Sequence, residues 1–338
     1  MERLNMNEDQ FMPVTSLGER LMQTEGAEDT PFFRILLTGN FDESHVRTKM
    51  SGHEVVFPEW IRRRTEVEWQ KISGGNPTAF PGPLARLHGF GVEHGNLLLE
   101  LDVTNYKDYK GGIALSTEER KEARYELANP LAVAVLTYSK SVFDGKGGIL
   151  FAQRNLATDQ RPGALEIPGG ALHIEHLKSG VWSAEHPVTT GLRELREEQG
   201  VHPNELTRIR VAGLVYEDFE DAAPTLICLA EIDPSIAPAD LTERATDAEA
   251  RAVWLTTEDP RDLTNALLGT SASTTSVTLA AFYLFLKERY RSEHAGESDL
   301  SSYYLERLRK RGETYRNMPR EKLRSLQERT SDRYLHKL

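Results

Sequence analysis

The sequence predicts an α/β protein, and three features support that class. Short apolar runs that suit strands recur along the chain, the clearest at residues 131–138. Helical patterns follow them, notably at residues 187–199 and 278–290. The composition, with 39% hydrophobic and 28% charged residues, is that of a soluble globular protein. By themselves these observations indicate the α/β class and no particular arrangement of its layers.

The first part of the chain is predicted to be a separate unit. Residues 1–30 are polar and mixed in charge, so we expect them to be poorly ordered, and residues 31–130 to form an N-terminal α+β domain. Its helix at residues 116–128 starts with Ser116 and Glu119, a capping-box signature. The other predicted elements of this domain are a strand at 31–38, a helix at 57–72, and two strands within 84–103 that turn near 93–96.

Residues 131–292 are predicted to form a second domain, and residues 293–338 are predicted to be a helical, basic C-terminal extension. From Lys287 to Leu338 there are 14 Lys and Arg against 9 Asp and Glu. Helices are expected at 301–311 and 319–336 in this extension. The predicted elements of the second part are strands at 131–138, 148–154, 210–216, 225–232 and 252–255, and helices at 187–199, 260–268 and 278–290.

Charge and cysteine content exclude several classes of protein. The net charge of −11 argues against general affinity for nucleic acid. The single cysteine, Cys228, excludes a disulfide framework and lies in an apolar run, so a buried, inert thiol is expected. No apolar run is long enough for a membrane span, and residues 1–29 carry no secretory signal. We therefore expect a cytoplasmic protein.

The helix at 187–199 is defined by local signals at both ends. Pro187 suits the first turn, where its missing N–H has no partner. Gly200 suits the left-handed position after the last turn. Val188, Leu192 and Leu195 form one apolar stripe for a core.

A second face of this helix carries Glu194, Glu197 and Glu198. Like charges at this spacing repel each other, so the helix gains nothing from the arrangement in water. Mg²⁺ prefers oxygen ligands and bridges carboxylates to substrate phosphates. The three glutamates therefore indicate either a Mg²⁺ site or a solvated acidic face.

The wider pattern resembles the Nudix box. The run from Arg193 to Val201 has the order Arg-Glu-apolar-x-Glu-Glu-x-Gly-apolar, and Glu185 precedes Arg193 by eight residues. Upstream lies Pro168-Gly169-Gly170, the usual entry to the box. One departure concerns the family's glycine, which lies six residues before the first glutamate of the box. In this chain Ser179 holds that place, and the nearest match, Gly170, lies fifteen residues before Glu185. The loop therefore carries nine extra residues. A longer loop adds little closure entropy.

The resemblance implies that residues 131–292 are a Nudix hydrolase domain, an α/β/α sandwich with a mixed sheet. It also implies hydrolysis of a diphosphate linked to another group, with Mg²⁺ or Mn²⁺. Glu194, Glu197 and Glu198 would be the metal ligands and, with Arg193, the catalytic residues. Arg193 would orient Glu197 or a neighbour. Gly169 and Gly170 would let the backbone approach the substrate. The general base stays open among Glu194 and the acids that follow a core strand, namely Glu217, Asp218, Glu220 and Asp221.

Further features resemble the UDP-sugar-hydrolysing Nudix proteins of animals and plants. They are the segment 101–111 with Tyr106 and Tyr109, and Arg154 followed by Arg161-Pro162-Gly163. The third is the long insertion between Gly170 and the helix at 187–199, which we call the box helix. Arg154 would contact a phosphate, and Tyr106 would stack on a base, although each has an equally good structural interpretation. UMP and a sugar 1-phosphate would be the products.

Two alternatives to this function remain. The substrate could instead be ADP-ribose or another nucleoside diphosphate derivative, and the chain could instead be a non-catalytic Nudix module that binds a nucleotide and regulates through its basic tail. The expected partner is a small nucleoside diphosphate derivative, with no membrane and no nucleic acid, and a homodimer is left open.

Overall fold

A computed structural model provides the structure of the chain. Its described residues are 11–23, 30, 32–75, 79–139, 148–154, 164–217, 222–237, 240–241, 244, 250–255, 260–269, 274–293 and 300–316.

A large mixed sheet forms the centre of the molecule. Its strand order is β14-β7-β6-β13-β12-β2, with two short strands, β8 and β9, paired to β7 and β6. Within it β6 and β13 run parallel and the other neighbours run antiparallel. The bounds are β2 Phe33–Phe41, β6 Ala132–Ser139, β7 Ile149–Arg154, β8 Leu165–Glu166, β9 Gly169–Ala171, β12 Leu206–Glu217, β13 Pro224–Ile232 and β14 Ala250–Leu255.

Both faces of this sheet are buried by helices. Along β6, Val133 and Val135 pack with Val188 and Leu195 of helix α5, Pro187–Gln199, on one face. Leu136 and Tyr138 point to the opposite face, because side chains alternate along a strand. That face is covered by helices α6, α7 and α8, at Pro260–Gly269, Ser276–Glu293 and Leu300–Arg316. The predicted α/β/α sandwich with a mixed sheet and a helical C-terminal part is thus confirmed.

A smaller sheet is formed by four other strands from the first part of the chain, in the order β1-β4-β5-β3. Strands β4 and β5 form the predicted hairpin, whose turn places His94 at φ 49° and Gly95 at φ 74°. Phe90 of β4 and Leu99 of β5 join the same apolar cluster as Val188 of α5. The bounds are β1 Met12–Ser16, β3 Val46–Glu54, β4 Pro83–Glu93 and β5 Asn96–Asn105, with helices α1 Leu17–Gln23, α2 Glu59–Gly75, α3 Tyr106–Ile113 and α4 Thr117–Glu122.

Two expectations about the first part of the chain need correction. Residues 12–23, expected to be poorly ordered, form β1 and α1, because Leu17 and Leu21 are buried against the small sheet at 1% and 2% exposure. Strand β2 falls in the range assigned to the N-terminal domain, yet it pairs with β12 as an edge strand of the large sheet. The capping box at Ser116 and Glu119 is confirmed.

The insertion before the box helix forms a hairpin of strands β10, Ile174–His176, and β11, Trp182–Ala184. Strand β11 lies against β3 of the small sheet, and His176 and Trp182 meet edge to face with ring centroids 5.0 Å apart. The extra residues are therefore part of a folded arm that lies against the small sheet.

The C-terminal part is helical as far as the structure describes it, and the helix predicted at 319–336 lies outside the described residues. None of the helices in the described ranges is long and apolar enough to cross a membrane. Cys228 is buried in β13, and burial raises the pKa of its thiol to about 12, as expected of an inert cysteine.

A buried ion pair joins the large sheet to α7. Arg210 of β12 is 4% exposed and pairs with Glu288. Burial alone would lower the pKa of Arg210, but Glu288 raises it above its ordinary value. The pair therefore compensates the desolvation of the guanidinium.

Arg210→Leu is expected to lower the free energy of unfolding by about 3 kcal/mol, because it leaves the Glu288 carboxylate without its partner. Urea denaturation measures the loss. The matched control is Arg208→Leu on the same strand, whose pair with Asp42 is 45% and 53% exposed and should contribute less than about 1 kcal/mol. Equal losses in the two variants would contradict the prediction.

Candidate active site

The helix that carries the candidate carboxylates begins and ends as predicted. Pro187 is its first residue, and His186 caps it by accepting a hydrogen bond from the Val188 N–H. Gly200 follows the last turn at φ 64°, a left-handed conformation that favours glycine. Fixed ends and a buried stripe hold this helix in one position over the sheet.

The three glutamates of the helix differ in their exposure. Glu194 is buried, with 8% of the residue exposed, whereas Glu197 is exposed and Glu198 is half-buried. Glu194 and Glu198 lie one helical turn apart on the same face. The acidic face therefore runs from the protein interior to its surface and is not simply a solvated stripe.

Arg193 connects the acidic groups around the helix. Its Nη1 lies 2.7 Å from Glu194 Oε1 and 3.4 Å from Glu197 Oε2, and its Nε lies 3.6 Å from Glu185 Oε2. The Thr190 hydroxyl donates to Glu185 Oε2 at 2.8 Å. One guanidinium thus partly neutralises three carboxylates and restricts their orientation.

Gly170 provides the space that Glu194 occupies. Strand β9 pairs with β6 so that Gly170 lies opposite Val133, and the Val135 N–H donates to Pro168 O at 2.8 Å. A Cβ at Gly170 would lie 2.6 Å from Glu194 Cδ. The carboxylate can approach this backbone only because position 170 has no side chain. The structure therefore brings together two elements that are 24 residues apart in the sequence.

Burial raises the pKa of Glu194, and the neighbouring Glu197 and Glu185 raise it further, while Arg193 opposes the shift. A desolvated carboxylate among other carboxylates is stabilised by a cation. The donors are all oxygens, which is the chemistry that Mg²⁺ and Mn²⁺ accept. The residues present thus fit a divalent ion.

This raised pKa predicts how stability depends on pH. The folded state binds the Glu194 proton more tightly than the unfolded state, so its contribution to stability is present at acid pH and is lost as pH rises through the raised pKa. With a chelator present, Glu194→Gln should be more stable than the wild type at pH 7. The difference should vanish below about pH 3, where the glutamate is largely protonated in both states. Urea unfolding across this pH range measures it, and a wild type more stable than the variant at pH 7 would contradict it.

The described residues contain no group of three or more His, Cys, Asp or Glu side chains arranged to hold a metal ion. A Mg²⁺ ion needs no such group, since it commonly takes one or two carboxylates and completes its shell with waters and substrate phosphates. Glu194 and Glu198, which share one face of the helix, stay the predicted ligands.

The other predicted site residues are distributed over different elements. Gly169 lies beside Gly170, where a Cβ would lie 2.9 Å from Val133 O. Tyr106 is the first residue of α3 and packs edge to face on Trp69 at 6.3 Å, which favours a structural role over base stacking. The backbone of Arg154 pairs with Ala250, while its side chain lies outside the described part of the structure.

Among the candidate bases, Glu217 ends β12 at 2% exposure, and its backbone N–H donates to Ala223 O at 3.1 Å. Asp218, Glu220 and Asp221 lie outside the described residues. The choice of general base among these acids and Glu194 therefore remains a prediction.

The sequence patterns did not indicate a role for His186. His186 caps the box helix and also contacts the small sheet, since its Nε2 lies 3.0 Å from Val46 O. Its only local signal is its position directly before Pro187. The contact with Val46 joins residues 140 positions apart, which no local pattern could indicate.

No protein-family model and no curated protein matches the chain. Among solved structures, NrtR of Shewanella oneidensis is 20% identical, with 41% of this chain and 54% of that chain covered and a TM-score of 0.28. The chain thus spans about half the length of NrtR.

Two further solved structures show a similar degree of likeness. The M. smegmatis Nudix hydrolase RenU is 16% identical, covers 50% of this chain and 91% of its own, and has a TM-score of 0.32. The C. elegans Ap4A hydrolase is 16% identical, with 46% of this chain and 98% of that chain covered, and has a TM-score of 0.26.

Proposed function

We propose that this chain is a Nudix pyrophosphohydrolase that uses Mg²⁺ or Mn²⁺ to cleave the diphosphate bond of a nucleoside diphosphate derivative. The observation that carries the proposal is the placement of Glu194. This carboxylate is buried on the box helix, faces the backbone of Gly170, and has Glu198 one turn away. A solvated acidic helix face would not bury its first glutamate against a glycine.

The residues of the chain have distinct roles in this proposal. Glu194 and Glu198 would hold the ion, and Glu197 would contribute from the exposed edge. Arg193 limits the rotation of Glu194, Glu197 and Glu185 through its three contacts. When bound, the ion would supply charge neutralisation for the phosphate oxygens and lower the pKa of a water for in-line attack on phosphorus.

For the substrate we propose a UDP-sugar, which would give UMP and a sugar 1-phosphate. The support is in the sequence, from Arg154, the 161–163 segment and the insertion before the box helix. Tyr106 packs edge to face on Trp69, and a role for Tyr106 in base stacking stays a prediction. Arg154 remains the candidate for phosphate contact, since a guanidinium suits bidentate binding of phosphate oxygens.

A substrate screen tests the proposal. The purified chain is incubated with UDP-glucose, ADP-ribose, NADH and dinucleotide polyphosphates, with Mg²⁺, with Mn²⁺, or with a chelator, and nucleoside monophosphate release is measured. Release of UMP from UDP-glucose that depends on the metal is expected. Turnover of ADP-ribose alone would replace the substrate and keep the reaction. Tight nucleotide binding in calorimetry without turnover of any diphosphate would defeat the enzymatic proposal.

A further inference from the structure

The imidazole of His186 makes hydrogen bonds to two different parts of the molecule. Its Nδ1 lies 3.3 Å from the Val188 nitrogen, and its Nε2 lies 3.0 Å from the Val46 oxygen. A backbone N–H can only donate and a carbonyl can only accept, so Nδ1 is the acceptor and Nε2 carries the proton. Both nitrogens are therefore used, one inside the helix and one outside it.

The external partner belongs to the small sheet. Val46 is the first residue of β3, an edge strand in the order β1-β4-β5-β3, and it pairs in parallel with Leu97 of β5. Val46 is 4% exposed and shares an apolar cluster with Val188. The hydrogen bond from His186 thus fixes the start of α5 to a buried and well-paired point of the N-terminal part.

Glu185, the residue before His186, connects the start of α5 to the insertion. The Glu185 N–H donates to His173 O in the insertion at 2.9 Å, and its carboxylate accepts from Thr190. That carboxylate is also within ion-pair distance of Arg193, which contacts Glu194. The start of the helix is therefore held by the small sheet and by the inserted arm together.

The position of Glu194 follows from that of the helix start. It lies eight residues after His186, about 12 Å along a rigid helix. Its carboxylate lies close to the β9 backbone, because a carbon added at Gly170 would lie 2.6 Å from Glu194 Cδ. A shift of the helix along its axis would therefore change the relation between Glu194 and the β9 backbone.

We propose that His186 is a positioning residue, through which the N-terminal sheet sets the place of Glu194 against Gly170. The proposal rests on the proposed function, because it assigns the small sheet a part in catalysis by the same site. A displacement of about 1 Å in a catalytic group can lower a rate about 100-fold. His186 itself need not touch the substrate to have such an effect.

Two substitutions separate the two bonds of the ring. Asn in His186→Asn is a good helix cap but is too short to reach Val46 O. Gln in His186→Gln keeps a long amide N–H that can reach Val46 O, but it caps a helix poorly. If the bond to Val46 matters, His186→Asn should lower kcat about 10-fold to 100-fold with KM within about twofold, and His186→Gln should retain most of the wild-type kcat.

The reverse order, with His186→Asn active and His186→Gln impaired, would mean that only the cap matters and would overturn the proposal. Wild-type kcat in both variants would overturn it as well. His186→Ser, another good cap without reach, repeats the Asn test if that variant does not fold. Thermal unfolding of each variant reports any general loss of stability.

A second measurement keeps the test independent of turnover. Amide hydrogen exchange in residues 188–195 should be faster in His186→Asn than in the wild type and restored toward the wild-type rate in His186→Gln. If the wild type cleaves no diphosphate, the proposed function fails, while the exchange experiment still reports whether the hydrogen bond from His186 to Val46 holds the helix in place. Unchanged exchange in His186→Asn would then overturn the positioning proposal on its own.

Discussion

Glu198→Gln is expected to lower metal-dependent kcat by about 10³-fold, equivalent to about 4 kcal/mol of transition-state stabilisation. Glutamine keeps the shape of the side chain but removes the negative charge that would hold a divalent ion next to Glu194. Steady-state release of nucleoside monophosphate at saturating Mg²⁺ measures the effect. Titration with Mn²⁺ should show weaker metal binding by the variant.

The matched control is Glu122→Gln, which makes the same change at an exposed glutamate of α4. This variant should retain wild-type turnover and metal affinity. Equal turnover by Glu198→Gln and the wild type would exclude the box helix as the source of the activity. A fall in both variants would instead indicate a general loss of charge or stability.

Gly170→Ala is expected to lower kcat about 100-fold with little loss of stability, because the added Cβ would lie 2.6 Å from Glu194 Cδ and displace the carboxylate. The obstructed atoms belong to the end of a flexible side chain, so the fold can adapt by moving Glu194. Kinetics and urea unfolding of the same preparation separate the two effects. The expected result is a large change in rate beside a small change in the free energy of unfolding.

Gly74→Ala provides the comparison for this substitution. A Cβ at Gly74 would meet no atom within 4 Å, so the same chemical change occurs without a displaced neighbour. It should leave kcat unchanged. If Gly170→Ala retained full activity, the close approach of Glu194 to the β9 backbone would have no role in the reaction.

The box helix could be predicted closely because its signals are local. Pro187, Gly200 and the stripe of Val188, Leu192 and Leu195 lie within 14 residues, and the observed helix spans Pro187–Gln199. The β4–β5 hairpin was predictable for the same reason, since its turn contains Gly95. Short-range sequence therefore determines these elements before any tertiary contact is known.

The parts that could not be predicted depend on distant contacts. Residues 12–23 are short and mixed in polarity, and they form β1 and α1 only because β4 and the buried apolar cluster receive Leu17 and Leu21. The hairpin in the insertion likewise depends on its contact with β3. Sequence patterns of a few residues carry no information about such partners.

In the candidate site, too, local features could be predicted and features that depend on distant contacts could not. Helical spacing indicates that Glu194 and Glu198 share a face, which the structure bears out. The spacing does not indicate that Glu194 is the buried glutamate, because its burial depends on Gly170, which lies on strand β9. The bond from His186 to Val46 depends on an even more distant partner.

Strand β2 has a practical consequence for dividing this chain into fragments. A piece that began at residue 131 would contain the box helix but would lack Phe33–Phe41, the strand that covers the outer edge of β12. The exposed N–H and C=O groups of β12 would then be open to pairing with other molecules, a recognised route to aggregation. Recombinant fragments intended to retain the large sheet should therefore include the residues from β2 onward.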